Sequence, residues 1–504
     1  MRFTPYRYIY ILILSIFLVP RYSSGQEVFK SEIDSDAITN ALRQHIEYLC
    51  SPRLYGRSTV TGHDHMASQY IDSIYGSLGL SVYSSYSHYP YYQHYNIVQT
   101  VPLQRTLVTP HRIFEYGRDF LNLGPDPAKN IEYEVVFGGL GEYDEIDSLD
   151  LKGKALLILS NNLRVAGMKV EEHAKSKGCA MVMVANPSSS KQFFYISQQL
   201  SDNHNSIQYR VADEKPKPLS RFFARFGDPI PQLLISDDLA EYLLREKPLN
   251  IWKRLQSKEP KGRPAVNSIV KFDYHFLNDT IPTQNVIGFI PAARINQQSV
   301  ILGAHFDHLT PEGQRWFPGA DDNASGTAVM IEVARLLAND YQNGYMPNRN
   351  IVFAGFSAEE IGLLGSQHYY NNPLFPVENT TVMLNLDMVG RLGKQSEAKK
   401  SVYLGGSNRL KEFSESMQTV NSDSTIVIDS ESLAGISLFT LSDHYHFDNR
   451  GLPAYLITTG MHNDYHKSSD TPEKLSIEGM QDMVKLIYQT VRHFADSENP
   501  WEIL

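Results

Sequence analysis

The chain has 504 residues, of which 42% are hydrophobic and 20% charged, a composition typical of a folded globular protein. At roughly 100–200 residues per domain, this length predicts about two to four domains. Lys and Arg number 46 against 56 Asp and Glu, which gives a formal net charge of −10. This acidic balance argues against the basic footprint with which proteins bind phosphate groups, and we expect no nucleic-acid partner.

The N-terminal segment has the pattern of a signal peptide. Arg2 and Arg7 flank the start of an apolar run from Tyr8 to Val19, and small residues follow up to Gly25. The run is shorter than the about 20 residues that cross a bilayer. We therefore expect cleavage after Gly25, export to the periplasm or the medium, and no stable membrane span in the mature chain.

Apolar residues at helical spacing predict a helix over residues 34–50 and a second one over 63–78. Tyr residues crowd positions 83–95, where a mixture of aromatic and polar side chains predicts a surface segment or loop. The chain thus begins with two helices, followed by a segment that the pattern does not place in the core.

The middle of the chain has a different character. Short apolar runs at 155–159 and 180–185 predict buried strands, and the segment 169–177 between them predicts a helix. An Ile-Pro turn and another apolar run precede a short helix near residues 238–244. This order resembles a protease-associated domain, which implies an inserted, smaller α+β domain over residues 115–262 that acts as a lid or selects substrates.

Beyond residue 266, predicted strands alternate with predicted helices. Such alternation is typical of an α/β fold with a mainly parallel mixed sheet and helices on both faces. Strands are expected at 285–290, 299–304, 350–356, 381–386 and 454–458, and helices at 325–338, 361–370, 408–420 and 477–495.

Polar residues that can bind metals follow these strands. The carboxyl ends of parallel strands form the usual site in open α/β sheets, so we expect these distant residues to converge. Two such polar residues alone are commonly a helix cap or a surface pair, so only the complete set of residues predicts a metal site. The set is His305 with Asp307, Glu359 with Glu360, Asp387, and His466, together with Asp321 and Asp322 before a helix.

The chemistry of this set favours Zn²⁺, with Mn or Co as alternatives, because imidazole nitrogen is combined with carboxylate oxygen. One ion needs three or four protein ligands, so the surplus of carboxylates predicts two ions that share one carboxylate. A further carboxylate is needed to accept a proton. The adjacent pair Glu359 and Glu360 fits this division, one side chain binding metal and its neighbour facing the water.

The arrangement resembles the dinuclear zinc aminopeptidase family, which includes bacterial leucyl aminopeptidase, yeast vacuolar aminopeptidase Y and glutamate carboxypeptidase. The resemblance implies a zinc exopeptidase fold in two parts, residues 26–114 and 263–504, around the insert and after a signal peptide of residues 1–25. The matching stretches are Gly-Ala-His-Phe-Asp-His (303–308), Pro-Gly-Ala-Asp-Asp-Asn-Ala-Ser-Gly (318–326), Phe-Ser-Ala-Glu-Glu-Ile-Gly-Leu-Leu-Gly-Ser (356–366), Leu-Asn-Leu-Asp-Met (384–388) and Tyr-His-Lys-Ser-Ser-Asp-Thr (465–471).

The resemblance also implies roles for single residues and two Zn²⁺ ions per chain. Glu359 would be the general base, and Asp307 would orient His305. The peptide bond between Asp321 and Asp322 is often cis in this family. The implied metal ligands are His305 and Asp387 for one ion, Glu360 and His466 for the other, and Asp321 between them.

The segment Ser442-Asp443-His444 matches the family near its substrate pocket, but with one departure. Bacterial leucyl aminopeptidase has a Tyr three residues before the Ser, where it steadies the oxyanion. Phe439 occupies that position here and has no hydroxyl. Tyr445 or His444 is a candidate substitute, and Asp443 is a candidate pocket residue.

The leading hypothesis is an exported aminopeptidase that acts on peptides with a free N-terminus. A carboxypeptidase or dipeptidase of the same family is the nearest alternative, and a glutaminyl cyclase or a non-enzymatic binding protein on this fold is another. Animal cyclases bind a single zinc, so the presence of both His305 and Asp387 favours hydrolysis. The sequence leaves the side-chain specificity, the role of the insert and the oligomeric state open.

Overall fold

The computed structural model describes the chain from residue 34 to residue 498, with gaps. The predicted signal peptide and Phe439 lie outside the described part. The described residues are 34–83, 88–161, 163–188, 191–197, 207–214, 230–257, 264, 266, 268–295, 297–392, 400–406, 410, 413–421, 426–430 and 442–498.

The first and the last of the described helices begin at a residue whose side chain caps a free amide group of the first turn. Asp34 accepts hydrogen bonds from the amides of Asp36 and Ala37, and Ser476 caps the last helix in the same way. None of the helices in the described part is both long and apolar enough to cross a membrane. The α-helices are α1 (Ser35–Leu49), α2 (Asp64–Leu78), α3 (Tyr143–Asp147), α4 (Leu163–Ser176), α5 (191–197), α6 (Asp237–Leu244), α7 (Pro248–Leu255), α8 (Gly326–Gln342), α9 (Leu364–Asn371), α10 (Phe413–Val420), α11 (Tyr445–Asp448) and α12 (Ile477–Asp496).

The strands of the described part are β1 (Ser81–Val82), β2 (Tyr92–Val108), β3 (Ile113–Glu115), β4 (Phe120–Asn122), β5 (Glu132–Phe137), β6 (Ala155–Leu159), β7 (Met181–Ala185), β8 (Gln208–Val211), β9 (Gln232–Ile235), β10 (Ile269–Ile290), β11 (Ser299–His305), β12 (Asn350–Phe356), β13 (Thr380–Leu386), β14 (Lys400–Gly406), β15 (Ile426–Asp429) and β16 (Ala454–Thr458). They form one continuous sheet in the order β15-β14-β16-β13-β11-β12-β10-β5-β6-β7-β9-β4, with β1, β2, β3 and β8 beside that path.

The central strands confirm the predicted α/β class with its mainly parallel mixed sheet. Strands β12, β11, β13 and β16 pair in parallel, while β10 and β14 join this group antiparallel. Alternate residues of β11 enter different cores, since Val300 and Leu302 pack with α8 and α12 while Ile301 packs with α9 and α11. Helices therefore cover both faces of the sheet at its centre, and β11, β12, β13 and β16 are buried on both sides.

A second pair of cores surrounds β5, β6, β7 and β9 in the middle of the chain. Strand β10 links this region to the central strands, because it pairs with β5 at one end and with β12 at the other. Strand β2 pairs with β10 along most of its length. Within β10, Phe272 belongs to the second region and Val286 to the first. The core of the middle region also includes Leu107 and Phe114, so its packing extends beyond the predicted insert range of 115–262.

The prediction for the Tyr-rich stretch was wrong where the structure describes it. Tyr91, Tyr92 and Tyr95 are buried, and the last two belong to β2. The hydroxyl of Tyr91 donates to the carbonyl oxygen of Leu80 at 2.8 Å, and that of Tyr95 donates to Ser357 at 3.0 Å. A Tyr side chain can be buried when its hydroxyl has such a partner. A strand with buried Tyr residues therefore has the same mixed aromatic and polar sequence as a surface loop.

A buried carboxylate joins α1 to α8. Glu332 accepts hydrogen bonds from Arg335 at 2.7 Å and lies 3.2 Å from Nε2 of His45. Burial alone would raise the pKa of Glu332, but the hydrogen bonds from His45 and Arg335 outweigh it and hold the pKa below its usual value. The charged form of Glu332 is therefore favoured by folding.

We expect Glu332→Gln to lower the free energy of unfolding at neutral pH by about 2 kcal/mol, since hydrogen bonds to a charged group contribute about 1.5–3 kcal/mol. Because the pKa is lower in the folded chain, this stabilisation is present above the unfolded-state pKa and is lost as the pH falls through the folded-state pKa. Denaturant unfolding at several pH values should show the wild type and the variant converging in acid. Glu47→Gln on the exposed face of α1 is the control, and a difference that stays constant with pH would contradict the account.

Candidate metal centre

The loops after four parallel strands meet at one edge of the sheet. His305 is the last residue of β11, Asp387 follows β13 directly, Glu359 and Glu360 follow β12, and His466 lies beyond β16. Parallel strands present their carboxyl ends on the same side, so these loops lie next to each other. The structure thus brings together five of the residues that the sequence predicted to converge.

One group of metal-binding atoms is formed by His305, Asp322 and Asp387. Nε2 of His305 lies 3.5 Å from Oδ1 of Asp322 and 3.5 Å from Oδ1 of Asp387. Ligand atoms on a tetrahedral zinc ion are about 3.3 Å apart, given metal–ligand distances of about 2.0–2.1 Å. The three side chains are therefore spaced as ligands of one ion.

A second group lies on the other side of Asp322. Oδ2 of Asp322 lies 3.3 Å from Nε2 of His466, and the same nitrogen lies 3.2 Å from Oε2 of Glu360. His308 approaches from the opposite side, with Nδ1 2.5 Å from Oε1 of Glu360 and 3.8 Å from Oδ2 of Asp322. His308 was not among the predicted ligands, although it lies in the stretch 303–308.

The predicted shared carboxylate was assigned one residue too early. Asp322, and not Asp321, belongs to both groups and directs one oxygen to each. Asp321 points elsewhere, with Oδ1 accepting from the amide of Gly390 at 2.6 Å and Oδ2 3.1 Å from Nε2 of His462. The cis peptide bond is likewise shifted by one, between Asp322 and Asn323. Because Asp321 and Asp322 are adjacent and of the same type, the sequence pattern alone does not show which of them is the shared carboxylate.

The position of Asp322 depends on a buried carboxylate behind it. Oδ2 of Asp470 accepts hydrogen bonds from the amides of Asp321 and Asp322 at 2.8 and 3.1 Å. Oδ1 of Asp470 accepts one from Arg391 at 2.8 Å. Asp470 lies in the predicted stretch 465–471, yet nothing in the sequence indicated that it holds the main chain of the shared residue.

Arg57 binds both ends of the loop that connects β11 to the segment of Asp322. Its guanidinium is fully buried and donates to the carbonyl oxygens of Phe306 (2.9 Å), Pro318 (2.7 Å) and Gly319 (2.9 Å). A fourth bond reaches Leu49, at the end of α1. The N-terminal helices therefore hold the two ends of the loop that leads from β11 to Asp322.

Asp307 contacts His305 through its main chain, where a contact through its carboxylate was predicted. Nδ1 of His305 hydrogen-bonds the main-chain oxygen of Asp307 at 3.3 Å, while the carboxylate lies 3.8 Å away. That carboxylate accepts instead from the amide of Glu359 at 3.1 Å and from Thr59 at 3.3 Å. Asp307 therefore fixes the ring of His305 with its backbone and the backbone of Glu359 with its side chain.

Glu359 lines a cavity together with Asp322 and Asp387. Burial raises the pKa of Glu359 well above its usual value, and the nearby Glu360 and Asp387 raise it further, whereas His305 lowers it. A carboxyl group in such surroundings is suited to accept and release a proton. The walls of the cavity are partly apolar and include Met388, Leu456, Met461 and Tyr465.

The segment after residue 441 reaches the site through Ser442, which donates a hydrogen bond to Oδ2 of Asp387 at 2.7 Å. Asp443 and His444 are fully buried beside it, and Tyr445 begins α11 and is partly exposed. Burial raises the pKa of Asp443 to about 6, although His305 opposes the increase. None of these three belongs to the two described groups of metal-binding atoms.

The arrangement fits divalent cations. Nε2 of His305, Oδ2 of Asp322 and Oδ1 of Asp387 are buried and make no well-formed hydrogen bond to any described residue. Polar atoms buried in this way cost free energy unless they bind something else. Four carboxylates close together would also repel each other, and two divalent cations would neutralise them.

Comparison with known sequences agrees with this geometry. Residues 285–491 match Peptidase family M28. Aminopeptidase YwaD of Bacillus subtilis (strain 168) is 31% identical over 226 residues, which make up 43% of this chain and 45% of the relative. Aminopeptidase NAALADL1 of Mus musculus is 30% identical over 214 residues, or 41% of this chain and 26% of the relative. The alignments thus cover less than half the length of these two relatives.

Comparison with solved structures finds an aminopeptidase from Aneurinibacillus sp. strain AM-1, aligned over 94% of this chain and 95% of that chain, with 21% identity and a TM-score of 0.46. The resemblance noted in the sequence is confirmed by the family match, which includes β11, β12, β13, β16 and the loops between them. The region of this chain from residue 285 to residue 491 therefore matches Peptidase family M28.

Proposed function

We propose that the chain is an exported, metal-dependent aminopeptidase that hydrolyses the N-terminal bond of peptides with two metal ions. The observation that carries the proposal is the carboxylate of Asp322, whose two oxygens face two separate groups of ligands. Glu359 lines the same cavity without belonging to either group. The aminopeptidase names of the relatives support the choice of reaction.

The residues that would hold the ions are His305 and Asp387 on one side of Asp322 and Glu360 and His466 on the other. This set of imidazoles and carboxylates favours zinc, with Mn or Co as alternatives. When bound, two such ions supply Lewis-acid chemistry, since they acidify water and polarise a carbonyl group.

The residues of the chain supply the proton transfers and the positioning. Glu359 accepts a proton from the attacking water and then gives it to the nitrogen of the departing peptide. The amide of Glu359 is anchored to Asp307, so its carboxylate stays at a fixed distance from the ligands. Met388, Leu456 and Met461 in the cavity wall favour an apolar side chain in the bound residue.

The other parts of the chain support a secreted exopeptidase. The charged and apolar N-terminal pattern supports export, and we propose a mature chain that begins after Gly25. The separate cores around β6 and β7 support the interpretation of the middle region as a protease-associated-like domain that restricts access. Measuring the mass of the secreted protein tests the cleavage site.

The assignment of the shared carboxylate can be tested with two neighbouring variants. We expect Asp322→Asn to reduce bound zinc from two ions per chain to fewer than one, because both groups lose a charged ligand. Asp321→Asn should retain two ions, since its amide oxygen can still accept from Gly390. Elemental analysis after dialysis measures the zinc, and circular dichroism checks the fold of both variants. If Asp321→Asn lost zinc while Asp322→Asn retained it, the assignment of Asp322 as the shared carboxylate would be wrong.

The activity can be tested by mass spectrometry of unblocked peptides incubated with the mature protein. We expect a ladder of products shortened from the N-terminus, which a chelator abolishes. Glu359→Gln should bind zinc normally and lower kcat at least about 100-fold, in the range for general-base catalysis.

Other products would identify the alternatives. Shortening from the C-terminus, or cleavage of dipeptides only, would assign a carboxypeptidase or a dipeptidase. Loss of ammonia from an N-terminal Gln would assign a glutaminyl cyclase. No product with any peptide, despite two bound ions, would contradict the proposed reaction and favour a binding role.

A further inference from the structure

The second group of metal-binding atoms contains a histidine beyond those that the sequence predicted. We propose that His308 is itself a metal ligand, so that the ion held by Glu360 and His466 is bound by two imidazoles. The proposal rests on the two-metal function described above. It makes the two positions unequal, with three protein ligands at one and four at the other.

The distances place His308 within reach of such an ion. Its Nδ1, a carboxylate oxygen of Glu360 and one of Asp322 all lie within 4.8 Å of one another. Nδ1 faces Oε1 of Glu360, whereas Nε2 of His466 faces Oε2. The two rings therefore flank one carboxylate, and each directs a nitrogen at a different oxygen of Glu360.

The orientation of the two rings agrees with a shared ion. The ring centres of His308 and His466 lie 6.1 Å apart, with an angle of 67° between the planes. Two imidazoles on one tetrahedral zinc ion have ring centres about 5–6 Å apart, given metal–nitrogen distances of about 2.0–2.1 Å.

The protein is built closely around the ring of His308. The side chain is fully buried, and Gly319, with φ at +55°, lies directly against it. A Cβ atom at Gly319 would lie 2.5 Å from Cδ2 of His308, so a larger residue there would displace the ring. The sequence Pro-Gly-Ala thus leaves room for an imidazole that points at Asp322 and Glu360.

A second role for His308 must be distinguished from this one. At 2.5 Å from Glu360, Nδ1 can donate a hydrogen bond that only positions the carboxylate. Such a residue affects the affinity for metal, typically by about 10–100-fold, without entering the coordination sphere. The absorption spectrum of bound Co²⁺ separates the two roles, because it depends on the atoms that are bound to the ion.

The experiment uses the full mature chain, freed of metal and titrated with Co²⁺ and with Zn²⁺. His308→Ala and His308→Gln are compared with the wild type. His275→Ala removes a histidine from a half-exposed position on β10 and serves as the control. Circular dichroism of the metal-free proteins checks that each variant is folded, and His308→Gln keeps most of the side-chain volume if His308→Ala does not fold.

We expect the wild type and His275→Ala to bind two Co²⁺ ions with identical visible spectra. In the His308 variants one of the two ions should bind at least about 10-fold more weakly, and the bands should shift at saturation because an imidazole has been lost. A spectrum at saturation equal to that of the wild type overturns the proposal, whether or not the affinity falls. A wild type that binds fewer than two ions overturns both this proposal and the two-metal function.

Discussion

The site depends on one constraint, which is that a buried carboxylate must direct its two oxygens to two different sets of ligands. Asp322 meets it because its own main chain is held in place. The carboxylate of Asp470 accepts hydrogen bonds from the amides of Asp321 and Asp322, and Arg391 balances its charge. Without that support the like-charged side chains at the site would separate, since carboxylates in a buried environment repel each other strongly.

The rest of the fold serves to keep the loops at a fixed separation. The parallel strands bring the loops after β11, β12 and β13 to one edge of the sheet. The sheet alone does not fix the positions of residues further along each loop. The buried Arg57 fixes both ends of the loop after β11, because it binds carbonyl oxygens of Phe306 and of Gly319. Glu332 fixes α1, the helix that precedes Arg57, to α8. The N-terminal helices are therefore part of the scaffold that holds the candidate metal centre.

Much of this could be predicted from the sequence, because strands buried on both faces and amphipathic helices have distinct apolar patterns. Strands β12 and β16 have the predicted bounds, and α12 differs by one residue. Helix α9 begins three residues later than predicted, since Leu363 just before it has a positive φ. The choice between Asp321 and Asp322, the role of His308 and the buried tyrosines depend on side-chain direction and distant partners, which a pattern in one sequence does not contain.

The central claim is that two ions lie on either side of Asp322. The most direct test is anomalous X-ray scattering at the zinc edge from crystals of the zinc-loaded protein. We expect two peaks about 3.5–4 Å apart, one between His305 and Asp387 and the other beside Glu360, with Asp322 bridging them. A single peak, or two peaks with Asp322 bound to only one of them, would contradict the account.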